Sequence, residues 1–162
     1  MVAMIRPYRD ADAVFLGPIH SAVFPDDALS TSAFHNYVSS ICAYGGKAWV
    51  LEQTTPIGYA LVVPVPGLPH IAGLKGCIAP TWQRKGLGSR VLRQVLTDLQ
   101  PTSVRQVAHQ VKAMDDPGAC FLQKNGFYVE HEEWQMIRND LRHLAQPEDR
   151  EGRTIAILPR SD

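Results

Sequence analysis

At 162 residues the chain is the size of one domain and long enough to bury a real core. Hydrophobic residues make up 45% and charged residues 20%, an ordinary mixture for a globular protein. Sixteen Lys and Arg balance sixteen Asp and Glu, so nothing in the bulk charge argues for nucleic acid or an anionic membrane as a partner.

From the start, Ile5 to Tyr8 reads as a short strand, with Asp10 or Asp12 as the N-cap of a helix running to about Val23 and weakened at Gly17-Pro18. Phe24 to Asp27 is a loop. Ser30 or Thr31 caps a second helix whose Phe34, Tyr37, Val38 and Ile41 repeat at helical spacing, and Gly45-Gly46 ends it. Strands are predicted over Ala48–Gln53, Ile57–Val65 and His70–Ile78, separated by Pro/Gly turns. Gly73 and Gly76 in the last of them suggest a bulge or a close backbone approach. The period then changes: Val91, Leu92, Val95, Leu96 and Leu99 form one face of a helix from about Gly88 to before Pro101. Val104 to Val111 reads as a strand with Val107, His109 and Val111 on one face. Asp116-Pro117 opens a short helix that stops at Lys124-Asn125-Gly126. Phe127–His131 and Trp134–Ile137 are two further strand candidates, and Thr154–Leu158 is an apolar segment in an otherwise polar tail. The division expected is a domain over 1–142 and a polar extension over 143–162, with half of a tandem protein as another reading of the tail.

Charge is uneven along this order. Residues 83–105 hold five bases against Asp98, and residues 130–151 hold seven acids against three bases. A basic middle suits an anionic cofactor and an acidic end a cationic acceptor, although solvated faces account for most such runs. Cys42, Cys77 and Cys120 are odd in number and scattered, with no CxxC or Cys/His spacing. They read as buried thiols in a reducing compartment, with no metal site. The first residues lack an apolar signal core and no run nears the ~18 apolar residues of a membrane span, which places the expectation in the cytoplasm.

The chemistry concentrates in Gln83-Arg84-Lys85-Gly86-Leu87-Gly88-Ser89. A strand ends at Ile78, Pro80 removes a donor, and two glycines lead into a helix. Glycine lets the backbone approach a ligand closely, and amides converging on a helix N-terminus favour a phosphate. Ser89-Arg90 after Gly88 breaks the Gly-Lys-Ser/Thr pattern of a P-loop, and Val91 replaces the third glycine of a dinucleotide fingerprint. The segment instead fits Gln/Arg-x-x-Gly-x-Gly/Ala and resembles the acyl-CoA loop of the GNAT N-acetyltransferase superfamily. Ile5 to Asp12, Pro56 to Ala60, and Asp116 to Phe127 are similar to further segments of that family in the same order.

The resemblance implies an α/β (α+β) fold: a mixed, mostly antiparallel sheet of six to seven strands flanked by helices, with a V-shaped cleft between two central strands. It implies acetyl-CoA as acyl donor and a small-molecule or peptide amine as acceptor, and leaves a homodimer open. Backbone groups near Gly76, Cys77 and Ile78 would meet the pantetheine arm, and amides from Gln83, Arg84, Lys85, Gly86, Leu87, Gly88 and Ser89 the diphosphate. The family's usual tyrosine acid is Leu122 here and the central strand has no Glu, so catalytic candidates are His70, His109 and Asp116. Each also has a plain structural reading, as a strand-edge histidine, a core histidine and an N-cap. Asp26 and Asp27 lie in the loop that lines the acceptor site in the family. An acyl-CoA-binding or regulatory module with little turnover is the alternative function.

Overall fold

The computed structural model describes residues 3–132. They divide into a compact unit, Met1–Phe127, and the start of a second unit that begins at Tyr128. In chain order the first unit holds β1 (Met4–Pro7), α1 (Ala13–Val23), α2 (Thr31–Ala43), β2 (Lys47–Glu52), β3 (Pro56–Pro64), β4 (Ile71–Ile78), α3 (Leu87–Leu99), β5 (Gln106–Ala108) and α4 (Pro117–Lys124). Single 3₁₀ turns sit at Asp10–Asp12, Pro25–Asp27 and Pro80–Trp82.

The sheet order is β1-β2-β3-β4-β5, antiparallel except for the last pair, which is parallel. Alternation along the strands sends one set of side chains to each face. Ala60, Val62, Ala72 and Leu74 pack against Val91, Leu92, Val95 and Leu99 of α3 and Leu122 of α4. Tyr59 and Leu61 pack on the opposite face against Leu16 of α1 and Phe34, Val38 and Ile41 of α2. The sheet is thus sandwiched, with α3 and α4 on one side and α1 and α2 on the other.

Several expectations change in detail. Ser30 does cap α2, its Oγ accepting from the Ala33 N–H at 3.2 Å. Asp12 precedes α1 but its side chain makes no cap hydrogen bond to that helix; both carboxylate oxygens are bound by Arg6, and one also accepts the Arg9 N–H at the start of the 3₁₀ turn Asp10–Asp12. Pro18 lies inside an unbroken α1, where Gly17 lets the helix approach Thr31 closely. The register from Gly58 to Pro64 runs without a bulge in β4, and the one irregularity falls between Leu51 and Glu52 of β2. Gly76 supplies the close approach instead, since a Cβ there would run into the Tyr59 carbonyl.

The strand expected over Val104–Val111 is only three residues long. Phe127–His131 forms no strand; Tyr128 and Val129 are exposed, and no ladder beyond β5 receives them among the described residues. Five strands are therefore seen among the described residues rather than six or seven. The candidates Trp134–Ile137 and Thr154–Leu158, and the boundary at 142/143, lie outside the described residues. Cys42 and Cys120 are exposed and Cys77 half-buried, so the picture of three buried thiols does not hold. No helix among the described residues is long and apolar enough to cross a membrane.

Candidate functional site

β4 and β5 stay together for three residue pairs, Ile71↔Gln106 to Gly73↔Ala108. Beyond them β5 leaves the sheet, and among the described residues the edge of β4 from Leu74 to Ile78 has no strand on that side. His109 sits at the point of divergence, its Nδ1 2.5 Å from the Leu74 carbonyl. A carbonyl only accepts, so Nδ1 carries a proton, and the tautomer this selects is the one whose lone pair is at Nε2. His109 is exposed, which removes the core-histidine reading.

At the other end of the open edge, the loop from Ala79 turns the chain into α3. Trp82 closes the 3₁₀ turn on Ala79, and the Gln83 side chain donates to the Ile78 carbonyl at 2.8 Å, tying the loop to the end of β4. Arg84 has φ 62° and Gly86 φ 75°, two left-handed residues in three positions. Such conformations fold successive N–H groups into a concavity that takes anions, and α3 adds its N-terminal partial charge. Among the described residues no protein acceptor takes the N–H of Arg84, Lys85, Gly86, Leu87, Gly88 or Ser89. A Cβ on Gly86 would meet nothing within 4 Å, so this glycine serves conformation and open space. Gly88 is different: a Cβ there would sit 3.1 Å from the Phe121 ring, so it lets α3 and α4 close together. Lys85 lies over the Trp82 ring at 4.6 Å, which draws its stem back along the loop.

The other candidates fall unevenly around this opening. His70 is in the turn before β4, where its carbonyl accepts from the Arg105 and Gln106 N–H groups. At about 3.3 Å per strand residue it lies roughly 13 Å from Leu74 and about 26 Å from Ile78, so the structure does not bring it to the loop. Asp116 starts α4 through its carbonyl, which accepts the Cys120 N–H at 3.0 Å, while its side chain makes no capping bond. Asp26 is paired with Lys112 at 3.0 Å, joining the loop after α1 to the segment after β5. Leu122, at the position of the family's tyrosine, is buried in the core between the sheet, α3 and α4. Cys77, on the α1–α2 face, has its thiol pushed up to about 12 by burial, which keeps it protonated. A separate cavity of about 500 Å³, lined by Ala3–Ile5 with Arg90 and Arg93, borders the β1 edge instead.

A strand-to-helix loop with six free amides beside a splayed parallel pair is the arrangement expected of an acyl-CoA site. The family model described as Acetyltransferase (GNAT) domain matches residues 45–129, more than half of the chain. The chain belongs to the GNAT acetyltransferase family. Solved GNAT-type structures share its fold. An N-acetyltransferase from Staphylococcus aureus Mu50 superposes with a TM-score of 0.72 at 15% identity, covering 81% of this chain and 86% of that one. The yncA protein from Salmonella typhimurium, solved with its cofactor acetyl-CoA, gives 0.70 at 18% identity over 81% and 82%. Glucosamine-6-phosphate N-acetyltransferase from Arabidopsis thaliana gives 0.65 at 14% identity over 85% and 98%. No curated protein sequence matches the chain.

Sequence reading passed over two residue pairs on the α1–α2 face of this GNAT fold. His20 and Tyr59 are hydrogen-bonded at 2.6 Å in the core, and Lys75 lies over the Tyr37 ring. Lys75 did leave a signal, as the one charge in the apolar run Ile71–Ile78. The histidine pair left none, because its members are 39 residues apart. Among the described residues no group of three His, Cys, Asp or Glu could hold a metal ion.

Proposed function

We propose that this chain transfers the acetyl group of acetyl-CoA to a primary amine of a small molecule or peptide by direct attack. The observation that carries the reading is the row of unengaged amides from Arg84 to Ser89 at the end of an open strand edge. That pairing suits a diphosphate followed by an extended amide-bearing arm. Arg84 and Lys85 add charge, and Cys77 and Ile78 offer backbone groups along the edge. The acetyl-CoA bound in yncA, on the same fold, supports the choice of donor.

In the reaction the amine nitrogen bonds to the thioester carbonyl carbon, the carbon–sulfur bond breaks, and the thiolate leaves with the electron pair. The acceptor's ammonium gives up one proton before attack and its nitrogen a second as the amide forms; one of the two protonates the thiolate and the other leaves through the base. His109 is assigned as base, because its proton is held at Nδ1 by Leu74 and Nε2 is left to accept. Asp116, at the start of α4, is assigned to orient the thiol end. A second reading, acyl-CoA binding with little turnover, is favoured by Leu122: its burial puts a hydrocarbon where the family carries a hydroxyl acid.

Titrating the protein with acetyl-CoA by calorimetry, then following CoA thiol release across an amine panel, separates the readings. Saturable binding with thiol release in the presence of an amine is expected. Saturable binding with no release for any amine selects the binding module, and absence of binding overturns both.

A further inference from the structure

β4 carries one charged side chain, Lys75, and the packing gives it no neutralising partner. Its ladder partner is Leu61, a core residue of the α1–α2 face, and Cys77 two positions on also packs there. Lys75 itself is exposed, with Nζ 5.7 Å from the centroid of the Tyr37 ring on α2. The ion pairs among the described residues go to Arg6, His35 and Lys112, and Lys75 has none. Asp26, in the loop after α1, is already engaged by Lys112. A ring face holds an ammonium in place without cancelling its charge.

The position of this cation is specific. Lys75 follows Leu74, whose carbonyl His109 takes where the strands part, and it lies two residues beyond the last β4–β5 pair. It therefore flanks the opening, on the face opposite α3 and α4. The phosphate loop leads into α3, so an acyl carrier reaches the opening from the α3–α4 face. A nucleophile approaches a carbonyl roughly perpendicular to its plane, and the carrier occupies one side, which leaves the side of Lys75 and Tyr37. A fixed positive charge there disfavours an acceptor with a second ammonium and favours one with an anion.

We propose that Lys75 is a specificity-determining residue that selects amine acceptors bearing an anionic group, a carboxylate or a phosphate, with Tyr37 holding its ammonium beside the opening. The inference rests on the acetyl-transfer reading above. Two matched pairs test it and separate the two anions: L-leucine against L-leucinamide, and O-phosphoethanolamine against ethanolamine. In the wild-type protein the anionic member of at least one pair is expected to have a kcat/KM at least tenfold higher. Lys75→Met should remove that preference through KM, with the neutral member changed less than twofold, and Lys75→Arg should restore most of it. Neutral members used as well as their anionic twins in both pairs, or a preference that survives Lys75→Met, overturns the assignment. Calorimetric titration with O-phosphoethanolamine and with L-leucine runs alongside. Lys75-dependent binding without thiol release from any acceptor overturns transfer and keeps the anion site, whereas silence in both measurements overturns both.

Discussion

Gly86 and Gly88 look equivalent in the sequence, yet each is glycine for a different reason. Gly86 needs a left-handed backbone and faces open space, so Gly86→Glu places a carboxylate at the concavity and costs about 1–2 kcal/mol of backbone strain. Calorimetry should show acetyl-CoA binding lost while circular dichroism still reports a folded protein; unchanged affinity would remove the loop from the site. Gly88→Glu is a poorer probe, because its side chain would press on Phe121 and disturb α3 against α4. His109 invites a sharper measurement. His109→Gln should lower kcat by about 10²–10⁴-fold with acetyl-CoA affinity kept. An unchanged kcat would move the base elsewhere.

At the scale of elements, the loop after α1 is fixed from beneath. His20 Nε2 donates to the Asp27 carbonyl at 3.0 Å, so its Nδ1 accepts from the Tyr59 hydroxyl on β3. Burial pushes the Tyr59 hydroxyl far above its ordinary range, which keeps it a donor. Tyr59→Phe leaves a buried nitrogen unpaired and should cost about 1–3 kcal/mol in urea unfolding. Because the loop lies near the opening, the acceptor's KM should rise more than that of acetyl-CoA.

The sequence made α3 and its entry legible, since five apolar residues at helical spacing and two preceding glycines are local signals. It overstated β5, because Val104, Val107 and Val111 promise a longer strand than β4 pairs with. What was not legible depends on where that pairing stops: His109 on Leu74 and Lys75 at the opening follow from a departure that no short window of residues encodes. Leu122 was visible as a departure from the family, but only its burial shows that the position has joined the core.

Across the compact unit, the edge of the sheet is clasped by one guanidinium. Arg6 on β1 binds Asp12 at 2.7 and 2.8 Å and Glu52 of β2 at 2.6 and 3.1 Å, joining two strands and the turn before α1. Burial alone would lift the Asp12 carboxyl, but the hydrogen bonds from Arg6 and Arg9 outweigh it and hold the carboxyl below its ordinary range; Arg6 lowers Glu52 as well. Groups with depressed folded values bind protons more readily when unfolded. Their stabilisation is complete above the unfolded values near ~4 and is lost as pH falls through the folded ones. The urea midpoint should therefore hold steady from neutral pH to about 5 and drop below about 4. Arg6→Gln should cost about 3–5 kcal/mol at neutral pH, because it strands the Asp12 carboxylate, and should flatten the acid dependence. A flat profile in the parent protein would show that the clasp is not stability-determining.

The three-pair contact of β4 and β5 also acts as a ruler. Whatever lies along the free edge from the phosphate loop toward His109 has five residues, Leu74 to Ile78, in which to extend before the strands meet. One more ladder pair would shorten that track by about 3.3 Å, roughly two carbon–carbon bonds. On the acetyl-transfer reading proposed above, the residue at which β5 leaves its neighbour would set how long an acyl chain can lie ahead of the sulfur, and a shift of that point would change the length without touching a single side chain of the site.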